Sequence, residues 1–346
     1  MPSTRLLAAG FGPGGGFFPA AFLFLLLSAC ASVSPLDGRP LAVADVPENV
    51  RPAWRGFPVG PGEGELSCLA FFSGRVSSPR LEFHALRMYL FGPCLRVVVA
   101  GGGKCEDGGV LSTKVSSFVR GGGLLAGINA LPFDPVSGRE GEPRTNVGVV
   151  ISDGRTLSPP HGRFDALVFF ADGSAAVKPQ PDLGRAEGIA NAVGGFRRIL
   201  EAYEPVPAVL GSLPRHPRSA AGVSSCGRFL YLLVVDGRRL GSVGSTEAET
   251  ALLLRALGAA DGINFDGGGS SALVLRFPDG EVRPANVPVH GQVPGRERAV
   301  AGVLGIARND PPEGLARPGC MCETVFHAYK TPGGFHKTGG VTYRED

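Results

Sequence analysis

Four absences narrow the class of protein that this sequence encodes. Its apolar run near the N-terminus, Phe17–Leu27, is shorter than the roughly 20 residues that a bilayer-spanning helix needs. The net charge is only +3, and Lys and Arg are too scattered to indicate a nucleic-acid partner. No Gly-Lys-Ser/Thr signature of a P-loop follows the Gly-rich stretch at 267–269, and no internal repeat is evident. The sequence therefore gives no indication of a bilayer-spanning helix at the N-terminus, a nucleic-acid partner, a P-loop or a repeat architecture.

Glycine and proline are abundant instead, with 53 and 30 residues among 346. Such counts favour many turns and a strand-rich fold over a helical bundle. A hydrophobic fraction of 43% is ample for a core. We predict a single α+β domain over residues 65–308, strand-rich, with a mixed or antiparallel sheet and a few packed helices.

The first 30 residues predict export. Arg5 and the apolar run precede Leu27-Ser28-Ala29-Cys30, which resembles the bacterial lipobox, so we predict that Cys30 is lipidated. The alternative is an ordinary secretory signal cleaved at its small residues. In the first case a lipid would anchor the chain to the bacterial envelope, at the periplasmic face or the cell surface.

Two segments flank the predicted domain, a linker at 31–64 and an irregular tail at 309–346, both rich in Pro, Gly and charge. Six cysteines follow Cys30, an even number that permits disulfides in an exported chain without indicating their pairing. Cys320, Cys322 and His327 could hold a metal, but no second pair supports such a site. We therefore predict no metal and no cofactor.

The clearest predicted helix begins at Thr246. Thr246 and Glu249 have the spacing of a capping box, an apolar face follows, and Gly258 ends the pattern. We also predict a short helix from Gly195, within Ile189–Tyr203.

The stretch Asp261–Phe277 predicts a strand, a turn and a strand, because apolar residues alternate on both sides of Asp266-Gly267-Gly268-Gly269-Ser270-Ser271. Composition alone slightly favours a Gly-rich hairpin turn. The alternative is a site, since successive backbone amides can form a nest for an anion.

Polar residues follow several predicted strands, notably Asn129, Asp236 and Asp266. Arg218 opens another strand, and Arg298 leads into the last one. Arginine suits phosphate because its fork donates two hydrogen bonds at once. Each arginine taken singly is better explained as a surface ion pair, although carboxylates and arginines gathered at strand ends can form a site for an anionic substrate.

Several ordered segments, spanning about residues 80–308, resemble motifs of the phosphodiester glycosidase family: Gly127-Ile128-Asn129, Arg218–Val223, Leu230–Arg238, Ser242–Thr246, Glu249, Leu257-Gly258-Ala259, Ile263–Ser271 and Gly295–Val300. The resemblance implies hydrolysis of a sugar 1-phosphodiester at the C1–oxygen bond, giving free sugar and a phosphate monoester. The substrate would be a glycan or sugar phosphodiester of the envelope or the cell exterior.

The resemblance also implies roles for individual residues. Asp266 is our first candidate for the carboxylate at the anomeric carbon, as nucleophile or base. Asp236 is the second candidate, with a strand-end turn as its alternative role, and Glu249 is the third, although the capping box already explains it. Substrate-binding roles fall to Arg218 and Arg298 at the phosphate, to Asn129 at a sugar hydroxyl, and to Gly267, Gly268, Gly269 and Ser270 at the anion.

Two positions depart from the family pattern. Ala130 stands where many members have Gly after the Asn, and Ser219 stands where Thr is usual. The first departure keeps open a different class of function, a surface lipoprotein that binds a sugar phosphate or glycan without turning it over.

Overall fold

The computed structural model describes residues 55–58, 65–100, 109–136, 139–185 and 187–309. In chain order these residues form the strands β1 (Arg55–Pro58), β2 (Glu65–Val76), β3 (Leu81–Tyr89), β4 (Leu95–Ala100), β5 (Val110–Leu111), β6 (Ala126–Asn129), β7 (Phe133–Asp134), β8 (Pro143–Asn146), β9 (Val150–Ser152), β10 (Arg155–Ser158), β11 (Asp165–Phe170), β12 (Ala175–Pro179), β13 (Ile189–Gly194), β14 (Arg197–Glu201), β15 (Glu204–Pro205), β16 (Arg218–Val223), β17 (Phe229–Val235), β18 (Asp261–Asn264), β19 (Leu273–Arg276), β20 (Val282–Pro284) and β21 (Val303–Arg308), with the helices α1 (Val115–Gly121) and α2 (Glu247–Leu257).

The predicted α+β class is wrong, because the chain is predominantly β. Strands make up 46% and helical residues 14% of the structure, and the described residues contain two α-helices. The strand pairings are antiparallel, and the sheets bury their apolar faces mainly against one another, so helices form only a minor layer. A count of strands and helices along the sequence could not show what covers each sheet face.

The largest sheet has eight strands in the order β1-β2-β3-β17-β16-β18-β14-β15. Two five-stranded sheets have the orders β10-β9-β13-β11-β12 and β20-β19-β6-β21-β4, and β5-β8-β7 form a small sheet. One apolar core joins the three larger sheets, with Leu232, Leu167 and Ile128 as buried members from each. The other face of the largest sheet is covered by α2.

The predicted helix at Thr246 is confirmed. The Thr246 hydroxyl accepts a hydrogen bond from the Glu249 amide, and the Glu249 carboxylate accepts one from the Thr246 amide. Gly258 ends the helix with a φ of 113°, a left-handed conformation that glycine adopts without steric cost.

The predicted short helix from Gly195 is wrong, because β13 and β14 occupy this region and Gly195 lies between them. A Cβ at Gly195 would lie 2.8 Å from the Asn264 carbonyl oxygen. Glycine is therefore needed here for close approach of two backbones, a requirement that local helix propensity does not reveal.

Three predicted segments lie wholly or largely outside the described residues. They are the signal with Cys30, the linker and the tail with Cys320, Cys322 and His327. The strand β1 falls within the segment predicted as a linker and pairs with β2. In the part of the chain that the structure describes, no helix has both the length and the apolar character needed to cross a membrane.

Candidate active site

Several predicted site residues meet at one edge of the eight-stranded sheet. β16 is antiparallel to both β17 and β18, so β16 begins where the other two strands end. Arg218 is the first residue of β16, Asp236 follows β17, and Asp266 lies two residues after β18. The topology therefore brings together charges that are far apart in the sequence.

The Gly-rich segment after Asp266 is not a hairpin turn. β18 belongs to the eight-stranded sheet, whereas β19 pairs with β6 and β20 in another sheet. Residues 265–272 thus cross from one sheet to the next, with a short 3₁₀ turn at Gly268–Ser270. We call this crossing the glycine loop.

Each glycine of this loop lets another part of the protein approach the loop backbone more closely than a side chain would allow. A Cβ at Gly267 would lie 2.8 Å from the Pro217 carbonyl oxygen, and one at Gly269 would lie 2.7 Å from Arg298 Nη2. Gly268 has a φ of +62°, and its Cβ would lie 3.1 Å from Arg238 Nη2. The glycines therefore bring two guanidinium groups against the backbone of the loop.

Asp266, at the start of the glycine loop, is a half-buried residue. Burial raises its pKa to about 6, although a hydrogen bond from Ser270 and the nearby charge of Arg298 act in the opposite direction. The Ser270 hydroxyl also accepts a hydrogen bond from Arg298 Nη1 at 3.1 Å. Ser270 thus connects the carboxylate to the guanidinium.

Asn129 holds the backbone of Asp266 in place. Its Nδ2 donates to the Asp266 carbonyl oxygen at 2.6 Å, and its Oδ1 accepts from Ser219 Oγ at 2.6 Å and from the Ala272 amide at 3.1 Å. The residue is fully buried, so the predicted contact with a sugar hydroxyl would require the loop to open.

Both departures from the family pattern are compatible with this arrangement. Ser219 keeps the hydroxyl that binds Asn129. The Ala130 carbonyl oxygen accepts a hydrogen bond from the Asp266 amide at 2.8 Å, and its own amide donates to Gly302. Ala130 therefore supports the loop through its backbone.

Two histidines and Arg238 lie around the site as well, and the sequence analysis assigned none of the three. Arg298 Nε donates to His290 Nδ1 at 3.1 Å, which places the proton of a neutral imidazole on Nε2. Burial, with the charges of Arg298 and Arg296, lowers the pKa of His290. Burial, with the charges of Arg218 and Arg238, likewise lowers the pKa of His216. The position of Arg238 as the last residue of the motif Leu230–Arg238 was the one available signal.

Arg218 lies beside the glycine loop and is partly engaged by the protein. A Cβ at Gly267 would lie 3.9 Å from Arg218 Cδ. Arg218 Nε donates to the Ser245 carbonyl oxygen at 3.1 Å, and Nη1 lies 3.7 Å from Glu247 Oε1. Glu247, which the sequence analysis also missed, has a side chain that is 12% exposed.

Asp236 belongs to a different, closed network. It is 1% exposed, and its oxygens accept hydrogen bonds from Asn286 Nδ2 at 3.1 Å, from the Val287 amide at 3.0 Å and from Arg239 Nη2 at 2.9 Å. Arg239 also binds Glu82. The contacts of Asp236 connect strand ends to loop 286–287, and its predicted catalytic role has no accessible face here.

Glu249 is fully buried in the capping box of α2. Its second oxygen accepts a hydrogen bond from Arg215 Nη2 at 2.5 Å. Both oxygens therefore have protein donors, which is the structural role that the sequence pattern had offered as the alternative to catalysis. Among the described residues there is no group of three or more His, Cys, Asp or Glu arranged to hold a metal ion.

Comparison with known protein families identifies the family of this chain. The sequence matches the phosphodiester glycosidase family over residues 122–307, more than half of the 346-residue chain. The chain belongs to the phosphodiester glycosidase family. Its domain is therefore of the hydrolase class that acts on sugar phosphodiesters.

Solved structures support this phosphodiester glycosidase fold. The catalytic domain of zebrafish N-acetylglucosamine-1-phosphodiester alpha-N-acetylglucosaminidase, auto-inhibited by its pro-peptide, is 20% identical with a TM-score of 0.54, covering 73% of this chain and 87% of that one. A Synechocystis protein is 14% identical with a TM-score of 0.51, covering 69% and 62%. A Burkholderia pseudomallei protein is 17% identical with a TM-score of 0.50, covering 66% and 74%. Comparison with curated protein sequences gives no match.

Proposed function

We propose that this phosphodiester glycosidase hydrolyses a sugar 1-phosphodiester at the sugar C1–oxygen bond, with Asp266 as the reacting carboxylate. Water supplies the new anomeric hydroxyl, and the oxygen of the broken bond leaves with the phosphate monoester. The observation that carries the proposal is the pairing of Asp266, a half-buried residue with its pKa raised to about 6, and Arg298 through Ser270 on a loop of three glycines.

The phosphate end of the substrate is assigned to the arginines. Arg298 and Arg238 lie against the glycine loop, and Arg218 lies at its start. A phosphodiester carries one negative charge, and guanidinium forks bind its two free oxygens well. Backbone amides of the loop and the Ser270 hydroxyl are the remaining donors in this proposal.

Asp266 has the ionisation that its proposed role requires. With a pKa of about 6, the Asp266 carboxyl group is mostly ionised at neutral pH. It can then act as a base toward water or as a nucleophile toward the anomeric carbon. A phosphate monoester is a good leaving group, so the arginines that stabilise its charge reduce the need for a general acid. A mechanism with one reacting carboxylate and several charge-stabilising arginines fits this site, because the oxygens of Asp236 and Glu249 already accept hydrogen bonds from protein donors.

A second candidate function is binding without turnover. Glycosidases normally use two carboxylates, and of the three predicted here Asp236 and Glu249 are enclosed. A sugar-phosphate binder would need the arginines but not the basicity of Asp266.

Turnover by the full chain and by Asp266→Asn separates the two functions. The assay is release of sugar from N-acetylglucosamine-1-phospho-methylmannoside. Hydrolysis by the wild type that is lost in the variant supports the enzyme. Binding of this substrate that requires Arg298 and is retained in Asp266→Asn, with no turnover by either protein, supports the binder.

We further propose that the protein is exported and lipid-anchored through Cys30 to the bacterial envelope, where its substrate would be an envelope or extracellular glycan. The support is the segment Leu27-Ser28-Ala29-Cys30 after an apolar run. Metabolic labelling with an alkyne fatty acid in a bacterial host should label the wild type and not Cys30→Ser. Equal labelling of both proteins would contradict the anchor.

A further inference from the structure

Two side chains hold the guanidinium of Arg298 beside the glycine loop. Its Nη1 donates to Ser270 Oγ and its Nε donates to His290 Nδ1, both at 3.1 Å. Arg218, by contrast, donates to main-chain carbonyl oxygens, including that of Ser245 at 3.1 Å. The orientation of Arg298 therefore depends on the chemical state of neighbouring side chains, whereas that of Arg218 depends mainly on the backbone.

The backbone at His290 is fixed by its own loop, between β20 and β21. The His290 amide donates to the Arg296 carbonyl oxygen at 2.9 Å, and the His290 carbonyl oxygen accepts from the Val293 amide at 3.2 Å. The preceding residue, Val289, is 1% exposed and pairs with Arg296 in a parallel bridge. His290 therefore extends from a held turn, and its ring can serve as a support for Arg298.

The hydrogen bond between Arg298 and His290 requires a neutral imidazole. Arginine only donates, so Nδ1 must carry a lone pair, and the ring proton is then assigned to Nε2. Burial and the charges of Arg298 and Arg296 lower the pKa of His290, which favours this neutral ring. Asp266 and Arg238 interact electrostatically with Arg298, with opposite charges.

Part of the Arg298 guanidinium remains available for a ligand. An arginine has five N–H donors, and Arg298 uses one on Nε for His290 and one on Nη1 for Ser270. Its Nη2 would lie 2.7 Å from a Cβ at Gly269, so it is directly against the glycine loop. Within the described part of the chain Nη2 forms no hydrogen bond. It is the group that can bind a phosphate oxygen without breaking a contact of the folded protein.

We infer that His290 is a positioning residue for substrate binding, which acts by holding the guanidinium of Arg298 toward the phosphate of the sugar phosphodiester. This inference rests on the proposed function. The bond at Nε fixes the rotation of the guanidinium plane, so that Nη1 and Nη2 keep one orientation beside the glycine loop. An arginine that is already oriented loses less side-chain freedom when it binds phosphate, and binding is correspondingly tighter.

A double-mutant cycle on the full chain tests whether His290 acts through Arg298. The four proteins are the wild type, His290→Leu, Arg298→Gln and the double variant, assayed with N-acetylglucosamine-1-phospho-methylmannoside. His290→Leu should raise KM about tenfold, because leucine accepts no hydrogen bond. Its kcat should change by less than about threefold, since the loss is in binding. In the Arg298→Gln background the same change should have no further effect. Equal effects of His290→Leu in both backgrounds would overturn the inference.

Two further variants separate positioning from a structural role. His290→Asn places an amide oxygen near the position of Nδ1 and should keep KM within about threefold of the wild type. The control is His161→Leu, because His161 Nδ1 also accepts a hydrogen bond, from the Arg163 amide, in a segment before β11. It should leave both constants unchanged. A KM as high in His290→Asn as in His290→Leu, or a lower urea midpoint that accompanies the loss in His290→Leu, would overturn the inference.

Binding of dimethyl phosphate separates this inference from the proposed reaction. The probe is a phosphodiester monoanion that requires no turnover, and phosphorus NMR titration measures its Kd. If no protein hydrolyses the methylmannoside, the proposed function fails, and the role of His290 is decided by this Kd alone. His290→Leu should raise it about tenfold. Dimethyl phosphate that binds the wild type and His290→Leu equally, or binds neither, would overturn the inference.

The pH dependence of the same Kd gives a signature that a merely structural role would not produce. It is measured in Asp266→Asn, which removes the titration of Asp266. Affinity should fall between about pH 7 and pH 5, because imidazolium cannot accept from Arg298. Adding His290→Asn should abolish this dependence. An affinity that rises on acidification would make His290 a cationic ligand of the phosphate and overturn the inference.

Discussion

Asp236 and Asp266 each precede a glycine and lie at the same edge of the eight-stranded sheet, yet their carboxylates have different surroundings. Asp236 is enclosed and accepts hydrogen bonds from Asn286, Val287 and Arg239. Asp266 is half-buried, and Ser270 and Arg298 approach it from the loop. Burial raises the pKa of both carboxyl groups.

The different surroundings of Asp236 and Asp266 show that a raised pKa alone does not identify a reacting group. A carboxylate whose oxygens are already held by protein donors connects elements of the scaffold, and a ligand could reach it only by breaking those bonds. A carboxylate that keeps a free face beside cations retains both its basicity and its access.

Asp266→Asn should lower kcat/KM for a sugar 1-phosphodiester by about a thousandfold, roughly 4 kcal/mol, because the amide is neither nucleophile nor base. The folded-state pKa of Asp266 lies above its ordinary value, so ionisation opposes folding as pH rises from about 4 to 6. The variant should therefore unfold at the same or a higher denaturant concentration at pH 7. A fall in activity that accompanies a loss of stability would count against a direct catalytic role.

Asp236→Ala should lower the free energy of unfolding by about 3 kcal/mol, because the Val287 amide would lose its acceptor and Arg239 and Asn286 would each lose one of theirs at a buried position. Urea denaturation measures this change. The control Asp279→Ala removes a carboxylate from an exposed turn and should leave the midpoint unchanged. A stable Asp236→Ala that lacks activity would reverse the contrast between the two carboxylates.

Arg298→Gln should raise KM by about fiftyfold, since a charge-assisted bond to phosphate contributes roughly 1.5–3 kcal/mol. It should also raise the pKa of Asp266, because the charge of Arg298 favours the ionised form. The acidic limb of the rate profile should therefore move to higher pH. Arg283→Gln, at an exposed ion pair, should alter neither quantity.

The wild-type kcat/KM should rise with pH through a midpoint of about 6, with about a tenfold loss between pH 7 and pH 5. The sign follows from the proposed role, which requires the ionised carboxylate, and that form is populated above its pKa. Initial rates across this range measure the profile. A rate that instead falls as pH rises through 6 would assign Asp266 the role of an acid.

Ser219→Ala should cost about 1 kcal/mol of stability and a few-fold in kcat/KM, because it removes the hydrogen bond that orients Asn129 beneath the glycine loop. Ser219→Thr keeps the hydroxyl and should retain both quantities. Equal behaviour of the two variants would show that Asn129 holds the loop without help from residue 219.

Local patterns predicted the features that neighbouring residues control. The capping box at Thr246 and the glycine that ends its helix are satisfied within one or two turns of the chain, so their residue types suffice. The predicted helix at Gly195 failed because Gly195 packs on the backbone of Asn264, well along the chain. The α+β prediction failed for a similar reason, since the partner of each sheet face is a distant segment.

The ordered motifs, their charged residues at strand ends and the glycines of the loop can all be read from the sequence. The folded chain was needed to show that this loop joins two sheets, that Arg238 and His290 accompany Arg298, and that Asp236 is enclosed while Asp266 is half-buried. The physical reason is that hydrogen-bond saturation depends on partners far along the chain. Asn286 lies 50 residues from Asp236, and Asn129 lies 137 residues from Asp266.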